Sequence, residues 1–241
     1  MENKFEKNYF ENYEFNGKTF THYSGPFSAE TPEFVEAVKE KVFRYKKNGK
    51  LLDVGCAEGH FLKAFSQNFE VYGIDISNYA VQKAKNLNKK FEKNIFAHSA
   101  DADWNFPEKF FDAIIINHTI EHLHDPKKCL QNAFIHLKDN GILYIAFPTK
   151  LYELPKFIPN YKKTTSLLNK FLHPIHFGNF RIQFGTDITH ISNPWPWNVA
   201  DNSFLSPYFE PVYIFPQKFH QKIIAGSFEI VARKKIAGET K

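Results

Sequence analysis

The chain has 241 residues, a length typical of one large domain, and we expect a single domain over residues 1–241. Its net charge is +5, but the lysines are scattered in pairs, so the sequence shows no basic arm or strong signal for nucleic acid binding. With two cysteines and no apolar run near the ~18 residues of a membrane span, we expect a cytoplasmic protein without such a span.

Residues 1–30 are rich in aromatic and polar residues but have no clear periodicity, and we treat them as a separate N-terminal segment. Thr31 and Pro32 then have the pattern of a helix start, because threonine caps a helix and proline fits its first turn. The apolar face of this helix carries Val35, Val38 and Val42. The helix leads directly into the first strand of the predicted core.

The stretch from Leu51 to Leu62 consists of an apolar strand, a turn of small residues and a helix start. Asp53 lies two residues before the turn, whose small residues are Gly55, Cys56, Ala57 and Gly59. Backbone N–H groups of such a turn can approach a ligand closely, because no long side chain stands in the way. We therefore expect a ligand at the carboxyl end of this strand, with the glycines leaving room for it.

A second short strand runs from Val71 to Asp75 and ends in an acid 22 positions after Asp53. A carboxylate at that place can accept hydrogen bonds from both hydroxyls of a ribose lying across the glycine turn. The pattern predicts an adenosyl ligand, with Ile76 among its contacts. Ser77 then caps a helix whose apolar face carries Ala80, Val81 and Ala84.

Further strands are predicted at 94–98, 110–116 and 142–147. Between the last two, Asp125 and Pro126 open a helix that we expect to include Leu137 and to end at Gly141. The continuous apolar runs indicate strands covered by helices on both faces. Alternation of strands and helices predicts right-handed crossovers and a largely parallel sheet.

Four motifs occur in a characteristic order: the Asp-x-Gly-Cys-x-x-Gly loop, Asp75, the Phe-Asp strand that leads to Glu121-His122, and the Leu-Lys-x-x-Gly turn that starts at Leu137. In these motifs the chain resembles the class I S-adenosylmethionine-dependent methyltransferases over residues 32–148. The resemblance implies an α/β, doubly wound, Rossmann-like fold with a largely parallel seven-stranded sheet and an antiparallel last strand. Residues 31–148 would form the cofactor-binding core, and the closing strands would be 209–215 and 223–231.

The resemblance also implies the cofactor S-adenosyl-L-methionine and its contacts. An acid after the third strand would reach the adenine amino group; Asp101 beside Ala102 is one candidate, and Asp103 is the alternative. Tyr23 would touch the cofactor if the N-terminal segment folds over it, or else pack on the sheet edge as a surface aromatic. The full expected set is Asp53, Gly55, Cys56, Ala57, Gly59, Asp75, Ile76, Asp101, Ala102, Asn117 and Tyr23.

A sulfonium methyl group is already activated, so catalysis depends mainly on orienting the acceptor, with a base where the acceptor carries a proton. His118 and His122 follow the fourth strand and are candidates for that base. For His118 a structural role is equally open, and in the family the Glu-His pair mostly shapes the loop. We expect no metal, since His118, His122 and His124 lack a further ligand at metal-site spacing.

The regular pattern stops over residues 149–205, which contain five prolines, many aromatics and three histidines. We expect this segment to be a lid insertion over the cofactor site that selects the acceptor, with residues 206–241 closing the sheet. His176 and His190 are further base candidates. Aromatic residues such as Trp195 would either contact the acceptor or form a small core within the lid.

The function predicted first is methyl transfer to an oxygen or nitrogen of a small-molecule, saccharide or lipid-linked acceptor. Amino-methylating enzymes of nucleic acids commonly have Asn/Asp-Pro-Pro-Tyr/Phe where this chain has Asn117-His118-Thr119-Ile120. The alternatives are a methyltransferase acting on RNA or protein, and a catalytically silent cofactor-binding partner or regulator. A nicotinamide oxidoreductase is disfavoured, because the loop does not match Gly-x-Gly-x-x-Gly.

Overall fold

The structure is a computed structural model that describes residues 5–15, 18–20, 31–150, 176–177, 180–181, 191–192, 194, 198–199, 201–206, 208–217 and 227–235. Its α-helices are α1 (Lys7–Glu11), α2 (Pro32–Phe43), α3 (His60–Phe65), α4 (Asn78–Leu87) and α5 (Pro126–His136). Its strands are β1 (Tyr13–Phe15), β2 (Lys18–Phe20), β3 (Gly49–Val54), β4 (Phe69–Asp75), β5 (Ile95–Ala97), β6 (Phe111–Asn117), β7 (Leu137–Pro148), β8 (His176–Phe177), β9 (Phe180–Arg181), β10 (Phe209–Phe215) and β11 (Ser227–Lys234). Short 3₁₀ turns span Lys89–Asn94 and Ile120–His122.

Seven strands form one mixed sheet in the order β10-β11-β7-β6-β3-β4-β5. The pairs β3 with β4, β3 with β6, β4 with β5 and β6 with β7 are parallel, whereas β11 is antiparallel to both β7 and β10. The predicted largely parallel sheet with an antiparallel last strand is confirmed. From β3 the chain adds β4 and β5 toward one edge of the sheet, and it then returns to add β6 and β7 on the other side of β3. In such sheets the ligand crevice lies outside the carboxyl ends of the strands at this switch point, here between β3 and β6.

Apolar clusters on both faces of the sheet form the core. On one face, Leu52 of β3 and Ile114 of β6 belong to the cluster that includes Leu130 of α5. On the other face, Leu51 belongs to the cluster that includes Val38 of α2, together with residues of α3 and α4. Because successive residues of β3 are buried on opposite faces, its apolar run is continuous, as expected for a doubly covered parallel sheet.

The predicted helix starts are confirmed by their caps. The Thr31 hydroxyl accepts a hydrogen bond from the Phe34 N–H at 3.2 Å, and the Ser77 hydroxyl accepts one from the Ala80 N–H at 3.1 Å. The Asp125 carboxylate accepts the N–H of Lys128 at 2.9 Å. Such caps each stabilise a helix by about 1 kcal/mol.

Two predicted boundaries are corrected. Helix α5 ends at His136, and Leu137 and Gly141 both lie in β7. Leu137 pairs with Phe111 at the start of β6, and the register shifts before the next pair. The predicted strand 223–231 is found as β11, which extends to Lys234; residues 218–226 lie outside the described residues.

Most of the predicted lid insertion, residues 149–205, also lies outside the described residues. Its far end is described where it returns to the sheet, and there the N–H groups of Ile191 and Ser192 donate to the Glu121 carbonyl at 2.8 and 3.1 Å. None of the helices in the ranges given above is long and apolar enough to cross a membrane.

Candidate active site

The loop of residues 55–59 after β3, here named the glycine loop, has three residues with positive φ angles and is hydrogen-bonded to β4. Gly55, Ala57 and Gly59 have positive φ angles of 74°, 45° and 83°. The N–H groups of Gly55 and Cys56 both donate to the Ile74 carbonyl, at 2.8 and 3.0 Å. The loop therefore crosses the end of β4, and its shape depends on backbone conformations that glycine adopts at little cost.

The protein itself fills the space beside the two loop glycines. A Cβ at Gly55 would lie 2.2 Å from Thr119 Oγ1, and a Cβ at Gly59 would lie 2.7 Å from Asn88 Nδ2 and 2.9 Å from the Ala84 Cβ. The expectation that these glycines also leave room for the ligand stays a prediction. The glycines allow neighbouring elements to approach the loop closely.

The Asp75 carboxyl group, at the end of β4, is held by the backbone. Its Oδ2 accepts the Ala57 N–H at 2.9 Å, and its Oδ1 accepts the Ser77 N–H at 2.8 Å. Burial raises the pKa of Asp75 to about 6, against the opposing effect of these two hydrogen bonds. Each oxygen retains a lone pair for a further donor.

Asp53, near the end of β3, is a second buried acid. Its side chain is 1% exposed, and within the part of the chain that the structure describes, Oδ2 has no hydrogen-bond partner. Burial, and then the negative charge of Asp75, raise the pKa of Asp53 to about 8. Two adjacent acids with raised pKa values favour a ligand that brings positive charge.

Asn117 and Ile76 complete this part of the crevice. Asn117 ends β6, is 7% exposed, and has an Oδ1 atom for which the described residues offer no donor. Ile76 follows Asp75 and is 47% exposed, which is unusual for a large apolar side chain in this protein. The site therefore combines orphan polar atoms with an apolar surface, as ligand pockets commonly do.

His118 begins the turn after β6 and has a φ of 49°, a left-handed conformation that is rare for residues other than glycine. Its N–H donates to the Ala146 carbonyl of β7 at 2.8 Å. Its Nδ1 atom lies 3.3 Å from Oε1 of Glu121, whose side chain is fully buried, while the His118 side chain is 38% exposed. His118 is thus held from two sides and still reaches the surface of the crevice.

His122 has different surroundings. Its ring lies edge-to-face with Phe5 at a centroid distance of 5.2 Å and near Tyr9 at 6.5 Å, so it meets the N-terminal helix region. Phe10 of α1 is buried against Ala57 of the glycine loop. These contacts favour a packing role for His122, and its role as a base stays a prediction.

Of the two acids considered for adenine, Asp101 is tied to the loop before α5. Its Oδ2 accepts the N–H groups of His124 and Asp125 at 3.1 and 3.2 Å, and these bonds help to lower its pKa. Asp103 is 89% exposed and pairs with Lys128. Asp101 and its neighbour Ala102 stay the predicted adenine contacts.

Cys56 is fully buried, and a Cβ at Gly73 would lie 2.9 Å from its sulfur atom, so its side chain packs against β4. Its predicted contact with the cofactor stays a prediction. Tyr23 and His190 lie outside the described residues. Of His176, only the backbone in β8 is described, so these three predicted site residues stay predictions.

Sequence reasoning missed two residues of the site. Thr119 donates from Oγ1 to the Val54 carbonyl at 3.0 Å and so joins the turn after β6 to the start of the glycine loop. Glu121 faces His118; the Glu121-His122 motif predicted a role in shaping the loop, but not this contact with His118. Its burial could not be predicted from spacing alone.

These features fit the cofactor that the resemblance implies. S-adenosylmethionine carries a sulfonium and an ammonium charge, which two buried acids can balance. Its ribose hydroxyls can donate to Asp75, and its adenine can lie on Ile76. An ammonium group can donate to Asp53 Oδ2 and Asn117 Oδ1, for which the described residues offer no donor. Among the residues whose positions are described, no group of three or more histidine, cysteine or acidic side chains could hold a metal ion.

Comparisons with known proteins agree with this geometry. A family model for a methyltransferase domain matches residues 28–192. The chain is 30% identical over 105 residues to malonyl-[acyl-carrier protein] O-methyltransferase of Bacillus anthracis, covering 42% of this chain and 38% of that relative. It is 34% identical over 101 residues to ubiquinone biosynthesis O-methyltransferase of Pelagibacter ubique, covering 42% of each. The matches thus span less than half the length of both relatives.

Solved structures share the fold. A protein of Pyrococcus horikoshii OT3 has a TM-score of 0.58 at 20% identity, covering 89% of this chain and 95% of that one. The N-methyltransferase NodS of Bradyrhizobium japonicum WM9, solved with S-adenosyl-L-homocysteine, has a TM-score of 0.58 at 14% identity, covering 89% and 91%. The family model, the fold and the site geometry lead to one conclusion: the chain belongs to the class I S-adenosylmethionine-dependent methyltransferases.

Proposed function

We propose that the chain transfers a methyl group from S-adenosylmethionine to an oxygen or nitrogen atom of a small-molecule, saccharide or lipid-linked acceptor. One observation carries the proposal: the buried Asp75 carboxyl is held by two backbone N–H groups at the end of β4, and near it lies the buried Asp53, whose Oδ2 has no hydrogen-bond partner among the described residues. An adenosyl sulfonium supplies both the hydroxyl donors and the positive charge that this pair of acids lacks.

In this proposal the chain's own residues hold the cofactor in a fixed orientation. Asp75 accepts hydrogen bonds from the ribose hydroxyls, and Asp101 accepts one from the adenine amino group. Asp53 and Asn117 accept hydrogen bonds from the ammonium group. The bound cofactor supplies an activated methyl group, so the remaining work of the protein is to align the acceptor and to remove its proton.

His118 is the proposed base among the described residues. Its side chain is 38% exposed at the end of β6, next to Asn117 and joined through Thr119 to the glycine loop. An imidazole there can take a proton from an acceptor hydroxyl or ammonium group. The names of the relatives agree with such an acceptor, since they include O-methyltransferases and phosphoethanolamine N-methyltransferase 1 of Arabidopsis thaliana.

The insertion of residues 149–205 is proposed to supply the acceptor surface. Support comes from its described far end, where Ile191 and Ser192 are hydrogen-bonded to the Glu121 carbonyl. Ile191 is also 48% exposed, so it offers an apolar contact beside the turn that contains His118 and Glu121. His176 and His190, both in this insertion, remain proposed alternatives to His118.

The function can be tested before the acceptor is identified. The purified protein is incubated with metabolite extract and S-adenosylmethionine that carries a deuterated methyl group, and mass spectrometry identifies labelled products. We expect labelled products with the natural chain and none with Asp75→Ala. Cofactor binding without any product would favour the silent binding module instead. Failure to bind the cofactor would overturn the proposal.

A further inference from the structure

The turn of residues 117–122, here named the His118 turn, is strained and yet well fixed. A left-handed conformation is unfavourable for a residue with a side chain, and His118 adopts it with a φ of 49°. The His118 N–H is bonded to Ala146 of β7, and Thr119 Oγ1 is bonded to Val54 of β3. Strain that neighbouring strands maintain is a reason to look for function.

Glu121 is the residue around which this turn is built. Its side chain is fully buried, and Oε1 lies 3.3 Å from Nδ1 of His118. Its backbone carbonyl accepts the N–H groups of Ile191 and Ser192, and the Ser192 hydroxyl donates to the neighbouring Ile120 carbonyl at 2.7 Å. One residue therefore fixes both the histidine ring and the returning end of the insertion.

We infer that Glu121 is a positioning residue: its carboxylate holds His118 in the tautomer with the proton on Nδ1 and so directs the unprotonated Nε2 toward the acceptor. The inference rests on the proposed function and deepens it. A carboxylate only accepts hydrogen bonds, so an imidazole nitrogen facing it must carry the proton. The acceptor class that follows is one with a hydroxyl or amine proton to lose.

The step balances with the groups named. Nε2 of His118 takes the proton of the acceptor O–H or N–H group, and the electron pair of that bond stays on the acceptor atom. That atom forms the new bond to the methyl carbon, while the electron pair of the broken carbon–sulfur bond stays on sulfur. The imidazolium is stabilised by the Glu121 carboxylate until Nε2 releases the proton to water.

The tautomer of His118 can be measured by long-range proton–nitrogen correlation NMR on protein labelled with nitrogen-15. The measurement is made at about pH 8.5, where an ordinary imidazole is neutral. His118 signals are assigned by their loss in His118→Ala. Two histidines serve as internal references, because each faces a backbone carbonyl: His136 through Nδ1 at 3.0 Å and His98 through Nε2 at 3.0 Å. They must therefore show opposite tautomers.

In the natural chain we expect His118 to show the same NMR pattern as His136, with the proton on Nδ1. The same pattern is expected in Glu121→Gln, because the amide oxygen can still accept a hydrogen bond from Nδ1. In Glu121→Leu, we expect a shift toward the His98 pattern, while both references stay unchanged. A natural chain in which His118 shows the His98 pattern overturns the inference, and this result needs no Glu121 variant to fold.

Turnover provides a second test once an acceptor is known. We expect kcat to fall about tenfold in Glu121→Gln and about 100-fold in Glu121→Leu, with cofactor affinity within about threefold, since general bases contribute about 10²–10⁴. In the His118→Ala background, Glu121→Gln should change kcat by less than about twofold, because a positioning residue acts through its partner. If Glu121→Gln lowers kcat as much in the His118→Ala background as in the natural chain, the inference is overturned. If the natural chain does not bind the cofactor, the proposed function is rejected instead.

Discussion

The glycine loop after β3 and the His118 turn after β6 meet at the same edge of the sheet, but they are shaped by different means. In the glycine loop, positive φ angles at Gly55 and Gly59 let Thr119 of the His118 turn and the end of α4 approach the backbone closely. In the His118 turn, a residue with a full side chain is left-handed, and hydrogen bonds to β3 and β7 hold it. We propose that the first arrangement serves the cofactor and the second serves the acceptor.

The largest effect is expected from Asp75→Ala, which should weaken S-adenosylmethionine binding about 100-fold or more. The variant removes the two proposed hydrogen bonds from the ribose hydroxyls to the Asp75 carboxylate, each worth about 1.5–3 kcal/mol. Calorimetry measures the affinity, and thermal melting checks the fold. Asp139→Ala is the matched control, because that acid pairs with Lys109 at 2.8 Å at the start of β7, away from the crevice. Equal affinities for the Asp75→Ala variant and the natural chain would contradict the assignment of the cofactor site.

A smaller effect, on stability, is expected from Gly55→Ala. The new Cβ would meet Thr119 Oγ1 at 2.2 Å in a backbone with a φ of 74°, so the free energy of unfolding should fall by about 2–4 kcal/mol. Denaturant unfolding measures this. The double variant Gly55→Ala/Thr119→Ala should recover part of the loss by removing the clashing atoms. No recovery would mean that the glycine is required for the backbone conformation alone.

A third effect concerns pH. The pKa values of Asp53 and Asp75 are raised to about 8 and about 6, so the folded protein without cofactor keeps protons that the unfolded chain has lost. Its free energy of unfolding should therefore fall as pH rises from about 4 to about 8. A cofactor with two positive charges favours the ionised acids, so its affinity should rise over about pH 6–8, by at most about tenfold per unit.

Calorimetry in buffers of different ionisation enthalpy would detect the accompanying proton release. Asp53→Asn should flatten the pH dependence above about pH 7, since it removes the group with the higher pKa. An affinity that is the same at about pH 6 and about pH 8 would contradict the idea that the cofactor's charge compensates the acid pair.

The same comparison explains what the sequence could predict. The glycine loop, Asp75 and the helix caps at Thr31, Ser77 and Asp125 are local patterns, and the structure confirms the elements that they predict. The boundary at Leu137 was wrong because its strand pairing with Phe111 overrides the helical spacing of the preceding residues.

The close approach of Thr119 to Gly55 was not predictable, because it depends on residues brought together by the β3–β6 pairing. The contact of Glu121 with His118 lies within one turn, but the full burial of the Glu121 side chain depends on the elements around that turn. Local spacing says which residues can share a helix face or a strand end. It does not say which carboxyl group becomes buried, or which residue packs against the backbone of a glycine.

The most direct test of the division between the two regions is a crystal structure with S-adenosyl-L-homocysteine bound. We predict ribose hydroxyls within hydrogen-bond distance of Asp75, the ammonium group beside Asp53, and Nε2 of His118 facing the acceptor side of the sulfur atom. A ligand bound away from the glycine loop, or a His118 ring turned away from the sulfur with its Glu121 contact broken, would contradict the account.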